Sequence, residues 1–184
     1  MQPTLRLASK TYANRIADMV NRAYRPSLLE RGWTHEADLV AGERTTSEQV
    51  LSLFSPRSLV LVLCQGAAIV ACVHLQNDDS EVYIGMLATE PSLQTQGLGK
   101  TMLSHAEQYA MTHFNATVFR MSVLSSRTEL IAYYERRGYA RTGEVKAYPI
   151  SAGVGLPLVE GLQVEALVKR LTGSQFFLGA ARDT

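Results

Sequence analysis

Residues 84–101 read IGMLATEPSLQTQGLGKT, and this stretch passes from an apolar strand through a polar turn into a helix. The strand covers Glu81–Thr89 and contains Gly85, a position typical of a bulge or of a close backbone approach. Pro91 ends it, and a helical apolar stripe follows over residues 97–113. The sequence therefore predicts a glycine-rich strand–turn–helix unit in the middle of the chain.

The turn contains Gly97 and Gly99 at the start of the helix. Glycines there let backbone N–H groups point at a ligand, and the helix start adds partial positive charge, so the turn suits a phosphate or diphosphate. A Walker A loop would need a glycine where Gln94 stands, and the dinucleotide pattern would need one at Met102. The pattern Q-x-x-G-x-G fits fully. A turn that merely starts a helix is the alternative.

A second segment, residues 127–139, reads RTELIAYYERRGY. Ser126 with Glu129 predicts a capping box that opens a helix, and Gly138 closes it. Together the two segments, each following a strand, resemble the GNAT superfamily of coenzyme A-dependent N-acyltransferases. In that superfamily the first turn holds the coenzyme A diphosphate, and the later helix carries a Tyr-Glu pair, here Tyr134-Glu135.

Periodicity and turn residues predict the remaining elements. Thr45 with Glu48 predicts a capping box, and Gln65-Gly66 predicts a hairpin turn. The predicted helices cover residues 12–24, 45–54, 97–113 and 127–137. The predicted strands cover residues 4–8, 58–64, 67–76, 81–89, 116–124, 139–147 and 163–171.

This order predicts a mixed α/β fold with helices packed on one sheet. The resemblance implies a GNAT-like fold, whose central, mostly antiparallel sheet splays between the strands at 81–89 and 116–124. We expect one N-acetyltransferase domain over residues 1–184. Its core motifs would lie within 81–145 and its C-terminal strand pair at about 139–171.

The resemblance also implies roles for particular residues. The pantetheine arm of acetyl-CoA would enter the splay, and a backbone N–H near Leu87 or Ala88 would bind the oxyanion. Tyr134 would be the general acid that protonates the leaving thiolate, although a core tyrosine would show the same helical spacing. The expected cofactor-binding residues are Met86, Leu87, Ala88, Thr89, Gln94, Thr95, Gln96, Gly97, Leu98, Gly99, Lys100, Thr101, Arg127 and Tyr133.

Arg127 is a departure from the family pattern, because many members carry asparagine seven residues before the catalytic tyrosine. An arginine there would meet a phosphate of coenzyme A or a substrate carboxylate, or would be a solvated first-turn residue. The general base is equally open. Some members have a glutamate where this chain has Tyr83. Glu81 on the same strand face and His74 are further candidates, each with a purely structural alternative.

The acceptor is expected to be an amine of a small molecule or peptide. The region between the first two helices often helps form the acceptor pocket in this superfamily, and here it carries Trp33, His35, Glu36, Asp38 and Arg44. A carboxylate there would suit a cationic amine, and a tryptophan would stack on it. A surface loop pinned by Trp33 is the alternative. The doubtful base also keeps open a non-catalytic acyl-CoA-binding regulatory module.

Composition limits the other possibilities. The net charge of +1 gives no electrostatic case for a nucleic acid partner. No apolar run approaches the roughly 20 residues of a membrane helix, and the N-terminus lacks a signal pattern, so we expect a cytoplasmic protein without membrane association. Cys64 and Cys72 lie in apolar runs and predict buried thiols, and the histidine and cysteine spacing predicts no metal site. A homodimer is compatible with the family resemblance.

Overall fold

The computed structural model describes residues 2–26 and 35–172. Within these residues the chain forms nine strands and four α-helices, and every predicted helix and strand is present. The helices are α1 (Ala13–Tyr24), α2 (Ser47–Ser52), α3 (Leu98–Phe114) and α4 (Thr128–Glu135). The strands are β1 (Thr4–Leu7), β2 (Val40–Ala41), β3 (Ser58–Gln65), β4 (Ala68–Asp78), β5 (Glu81–Thr89), β6 (Val118–Leu124), β7 (Ala140–Ala147), β8 (Leu156–Pro157) and β9 (Gln163–Arg170).

Seven strands form one mixed sheet in the order β1-β3-β4-β5-β6-β9-β7. All neighbours are antiparallel except β5 and β6, which α3 joins by a crossover connection. The two short strands, β2 and β8, pair separately. The predicted mixed, mostly antiparallel sheet flanked by helices is therefore confirmed.

Helices cover both faces of the sheet. Leu61 and Leu63 of β3 pack in the cluster that contains α3, whereas Val60 and Val62 pack in the cluster that contains α1. A strand buried on both faces needs apolar residues at successive positions, which explains the unbroken run SLVLVLC. The sheet is thus a rigid support between two helical layers, and its central strands carry the site.

Both cysteines are buried, unpaired thiols, as predicted. Burial raises the pKa of the Cys72 thiol to about 12. The thiolate is the nucleophilic form of cysteine, so Cys72 is chemically inert at neutral pH.

Two capping and turn predictions are each wrong by one residue. The loop of the β3–β4 hairpin is Gly66-Ala67, because Gln65 still pairs with Ala68. The capping box of α2 uses Thr46, whose Oγ1 accepts from the backbone N–H of Gln49 at 3.2 Å, while Gln49 Oε1 accepts from the Thr46 N–H at 2.9 Å.

Long-range bonds explain why Thr45 is not the cap. Its backbone N–H donates to Asn21 Oδ1 at 3.1 Å, and its carbonyl accepts from Asn21 Nδ2 at 2.9 Å.

The predicted capping box at Ser126 and Glu129 is wrong as well. Arg127 is the N-cap of α4 and makes no side-chain cap, and the Glu129 carboxylate instead accepts from Arg127 Nε at 2.5 Å.

The capping geometry predicts a stability difference between two similar substitutions. Thr46→Ala removes a cap that satisfies a backbone donor of α2, so we expect the free energy of unfolding to fall by about 1 kcal/mol. Ser126→Ala is the matched control and should change it by less than about 0.5 kcal/mol. Urea unfolding of both variants measures the difference, and equal losses would contradict the assignment of the cap.

Candidate active site

The strands β5 and β6 separate part-way along their length. They pair only over residues 81–83 of β5 and 118–120 of β6. Beyond Tyr83 the predicted splay opens, and β6 remains paired with β9 on its other side. This leaves main-chain groups of β5 facing a gap rather than a neighbouring strand.

A bulge in β5 lies at the mouth of this gap. His74 of β4 is opposite Gly85, whereas Cys72 is opposite Ala88, so two residues of β5 face one residue of β4. Met86 has a positive φ of 50°, which is unusual for a residue other than glycine or asparagine. Of the two alternatives predicted from Gly85, a bulge or a close backbone approach, the bulge is present one residue later, and it changes the direction of the strand at the gap.

The glycine-rich turn has the geometry of an anion-binding site. Gly97 is the N-cap of α3 with a φ of 81°, and the Thr101 N–H donates to the Gly97 carbonyl at 3.0 Å. The N–H groups of Leu98, Gly99 and Lys100 precede that bond and have no intrahelical acceptor. No acidic side chain lies in the first turn of α3 to compete with a bound anion.

A cavity of about 260 Å³ extends from this turn to the gap. Two of its lining residues, Lys100 and Arg137, are cationic, and none is acidic. Together with the helix start, these charges favour an anionic ligand. The lining residues are Tyr24, Leu87, Thr89, Gln94, Thr95, Gly97, Leu98, Gly99, Lys100, Leu130, Tyr133, Tyr134 and Arg137.

Tyr133 forms part of the cavity wall opposite the turn. Its hydroxyl would lie 3.4 Å from a Cβ added at Gly99, so the absence of a side chain there permits the close approach. The Arg137 guanidinium stacks on the Tyr133 ring at 3.3 Å from the centroid, and Arg137 Nη1 donates to the Tyr133 carbonyl at 2.6 Å. Stacking and hydrogen bonding hold the cation at the edge of the cavity.

A second cavity, of about 320 Å³, is lined by both strands of the gap, with residues 83–87 of β5 on one side and 121–124 of β6 on the other. It shares four lining residues with the first cavity, so the two meet at a common wall made of Tyr24, Leu87, Leu130 and Tyr134. The other lining residues are Glu36, Arg44, Tyr83, Ile84, Gly85, Met86, Met121, Ser122, Val123, Leu124, Lys146, Ala147, Tyr148, Pro149, Val154 and Val164.

Tyr134 lies at this common wall. Its ring packs edge-on against Tyr133 and Tyr139, with centroids 5.3 Å and 5.9 Å away, and only 8% of the residue is exposed. Within the described residues its hydroxyl makes no hydrogen bond. Burial raises the pKa of the Tyr134 phenol well above its ordinary value, so it stays protonated.

Tyr24 is the other phenol at the wall, and no local pattern predicted its role. Its hydroxyl donates to the Leu87 carbonyl at 2.9 Å, and burial raises its pKa. Leu130 and Arg137 are further cavity residues that were not predicted. The sequence around Tyr24 showed only the apolar period of α1, because the contact of Tyr24 with β5 joins residues 63 positions apart in the chain.

Residues 15–139 match the acetyltransferase (GNAT) family. The chain belongs to this family. Its fold also matches the ribosomal-protein-S18-alanine N-acetyltransferase from Escherichia coli, with 19% identity, a TM-score of 0.70 and coverage of 93% of this chain and 96% of that chain. A search of curated proteins found no significant match.

Two further structures have the same GNAT fold. A family member from Elizabethkingia anophelis with acetyl-CoA bound is 16% identical, with a TM-score of 0.65 over 92% of this chain and 99% of that one. Mutant forms of the spermidine/spermine N-acetyltransferase from Vibrio cholerae are 13% identical, with a TM-score of 0.68 over 97% and 98%. At such identities the likeness shows the GNAT fold alone, and the relatives from Escherichia coli and Vibrio cholerae are named for different acceptors.

Not all the predicted cofactor residues of this GNAT protein line the first cavity. Met86 lines the second cavity, Ala88 of β5 is buried in the cluster that contains α1, and Gln96 and Thr101 are exposed. Arg127 is 7% exposed and donates from Nη1 to the His35 carbonyl at 2.7 Å, so the expectation of a solvated residue is wrong. Its guanidinium ties the chain at His35 to the start of α4, away from the first cavity.

The two predicted bases differ in position. Glu81 lines neither cavity, and its carboxylate accepts from Arg120 Nε at 2.5 Å where β5 and β6 are still paired. Tyr83 lines the second cavity and is 40% exposed, with its ring packed over Gly85. Of the predicted acceptor residues, Glu36 lines the second cavity, and Trp33 lies outside the described residues.

His74, the remaining candidate base, makes its contacts within the sheet and not in a cavity. It lines neither cavity, and its Nε2 lies 2.8 Å from the Ser58 hydroxyl. Burial lowers the pKa of His74 to about 4. The histidine is therefore neutral at physiological pH and packs inside the sheet region.

The low pKa of His74 predicts a pH-dependent stability. Between pH 6.5 and about 4 the unfolded chain binds a proton that the folded chain does not, so the free energy of unfolding falls as the pH drops through this window. His74→Gln removes this contribution, and its loss between pH 7.5 and 5 should be about 2 kcal/mol smaller than in wild type. Urea unfolding at both pH values tests this; identical pH slopes would contradict it.

Across the described residues, no helix is both long and apolar enough to span a bilayer.

Proposed function

We propose that this GNAT protein transfers an acetyl group from acetyl-CoA to an amine of a small molecule or peptide by direct attack. The observation that carries the proposal is that Tyr134 and Leu87 line both cavities. A donor in the first cavity and an acceptor in the second would meet at these two residues. The acetyl-CoA bound to the relative from Elizabethkingia anophelis supports the choice of donor.

The first cavity suits coenzyme A. Its diphosphate would take the amide groups at the start of α3, with Lys100 and Arg137 adding positive charge. The pantetheine arm would follow the main chain of Leu87 and Thr89, which β6 leaves unpaired beyond Tyr83. Neither the diphosphate contacts nor the pantetheine contacts depend on Arg127.

The bulge favours Leu87 over Ala88 as the oxyanion donor. Ala88 pairs with Cys72 of β4, so its backbone belongs to the β4 side of the strand. Backbone groups of successive strand residues point to opposite edges, and the Leu87 carbonyl reaches Tyr24 rather than β4. The Leu87 N–H would therefore face the gap, where it can stabilise the negative oxygen that forms as the amine attacks.

Tyr134 would act as the general acid. The amine nitrogen gives up a proton and forms a bond to the thioester carbon, the carbon–sulfur bond breaks, and the departing thiolate takes the phenolic proton, which the proton lost by the amine replaces through solvent. Burial keeps that proton on the phenol until the thiolate forms, because the charged phenolate is disfavoured in the apolar wall. Of the predicted bases, Tyr83 is the one that lines the acceptor cavity.

Calorimetry with acetyl-CoA, followed by release of free thiol with an amine panel, tests the proposal. We expect binding and acceptor-dependent thiol release. Absence of acetyl-CoA binding would end the proposal. Tight binding without turnover on any amine would favour the non-catalytic acyl-CoA-binding module instead.

A further inference from the structure

The charges that line the second cavity do not balance. Glu36, Arg44 and Lys146 are its charged lining residues. Glu36 accepts from Arg25 Nη1 at 2.8 Å, and Lys146 pairs with Glu144 at 2.7 Å. Within residues 2–26 and 35–172, no carboxylate forms an ion pair with Arg44. Among these described residues, one positive charge of the cavity is therefore uncompensated.

Arg44 is held in a defined place by α1. Its backbone N–H donates to Asn21 Oδ1 at 2.8 Å, and the same amide side chain binds both backbone groups of Thr45. The Arg44 guanidinium lies 5.4 Å from the centroid of the Tyr24 ring, one helical turn beyond Asn21. The guanidinium thus has a fixed backbone and a stacking surface, as a preorganised binding group requires.

We propose that Arg44 binds a carboxylate of the acceptor, so that the acceptor is a small amine that also carries a carboxylate. This inference rests on the proposed function, because it names the substrate class of the same site. A single guanidinium with one unmatched charge fits a monoanion, and its planar fork matches the two oxygens of a carboxylate. The cavity of about 320 Å³ is near the small end of ligand pockets, which favours an acceptor of amino-acid size.

Tyr24 connects this anchor to the reacting centre. Its ring faces Arg44, and its hydroxyl donates to the Leu87 carbonyl. A carboxylate held at Arg44 would leave the amine end of the acceptor directed along the same cavity toward Leu87 and Tyr134. This differs from the expectation of a site for a purely cationic amine, because Arg25 already neutralises the Glu36 carboxylate.

Matched pairs of acceptors test the inference directly. The panel contains α-amino acids, β-alanine and γ-aminobutyrate, each as the free carboxylate and as the carboxamide, and kcat/KM is measured by thiol release. Wild type should prefer the best carboxylate over its amide by roughly 10- to 100-fold, mainly through KM. Arg44→Gln should abolish this preference, Arg44→Lys should retain part of it, and calorimetry should give both variants the wild-type Kd for acetyl-CoA.

Lys146→Gln is the matched control, since it removes a cation from the same cavity that is already ion-paired. It should keep the carboxylate preference, and equal losses in the Arg44 and Lys146 variants would overturn the assignment to Arg44. If acetyl-CoA still binds, two results would overturn the inference. One is that wild type acetylates the amides as efficiently as the carboxylates, and the other is that it acetylates no amine that carries a carboxylate. Absence of acetyl-CoA binding would instead refute the proposed function together with this inference.

Discussion

Tyr134→Phe should lower kcat by about 10²-fold or more while leaving acetyl-CoA binding unchanged. The substitution removes the phenolic proton from the wall shared by the two cavities and keeps the ring that packs against Tyr133 and Tyr139. Because the hydroxyl bonds to no described residue, its loss leaves no protein donor or acceptor unsatisfied there. Steady-state thiol release gives kcat, and calorimetry gives Kd.

Tyr139→Phe is the matched control for this experiment. It is the same chemical change on a neighbouring buried phenol, whose hydroxyl donates to Glu107 Oε1 at 2.9 Å. We expect the control to lose about 1 kcal/mol of unfolding free energy and to keep its kcat. A Tyr134→Phe enzyme with wild-type kcat, or a variant whose kcat loss is matched by Tyr139→Phe, would refute the role of Tyr134.

Gly97→Val should weaken acetyl-CoA binding by about 10²-fold. Gly97 has a φ of 81°, a left-handed conformation that a β-branched residue strongly disfavours. If the backbone leaves this conformation, the N–H groups of the residues that follow no longer point at one shared ligand position. Losing one or two charge-assisted hydrogen bonds, each worth about 1.5–3 kcal/mol, accounts for the expected change in Kd.

Gly97→Asn separates conformation from bulk. A Cβ at this position meets no atom within 4 Å, so steric contact does not explain a loss of binding. Asparagine tolerates the left-handed region and should bind acetyl-CoA within a few-fold of wild type. If Asn and Val weakened the Kd equally, the backbone geometry of the turn would not be the reason for binding. Calorimetry at matched ionic strength measures both variants.

The parts of the site that were predicted are those encoded by neighbouring residues. The glycine pattern at residues 94–101 and the tyrosine pair on the later helix depend on spacing within a few residues, and spacing is visible in the chain. A bulge or a close backbone approach in β5 was predicted for a similar reason, from Gly85. The cap of α2 was displaced from Thr45 to Thr46 because Asn21, far away in sequence, binds the Thr45 backbone.

Local patterns along the chain were enough to predict the main strands and helices in their order, the glycine-rich turn and the GNAT family. Which charges are already paired depends on the three-dimensional fold. It joined Glu36 to Arg25, enclosed Arg127 beside His35, left Arg44 unpaired among the described residues and directed the Tyr24 hydroxyl to Leu87. An ion pair depends on where distant segments meet in space, and residue type alone does not specify that meeting.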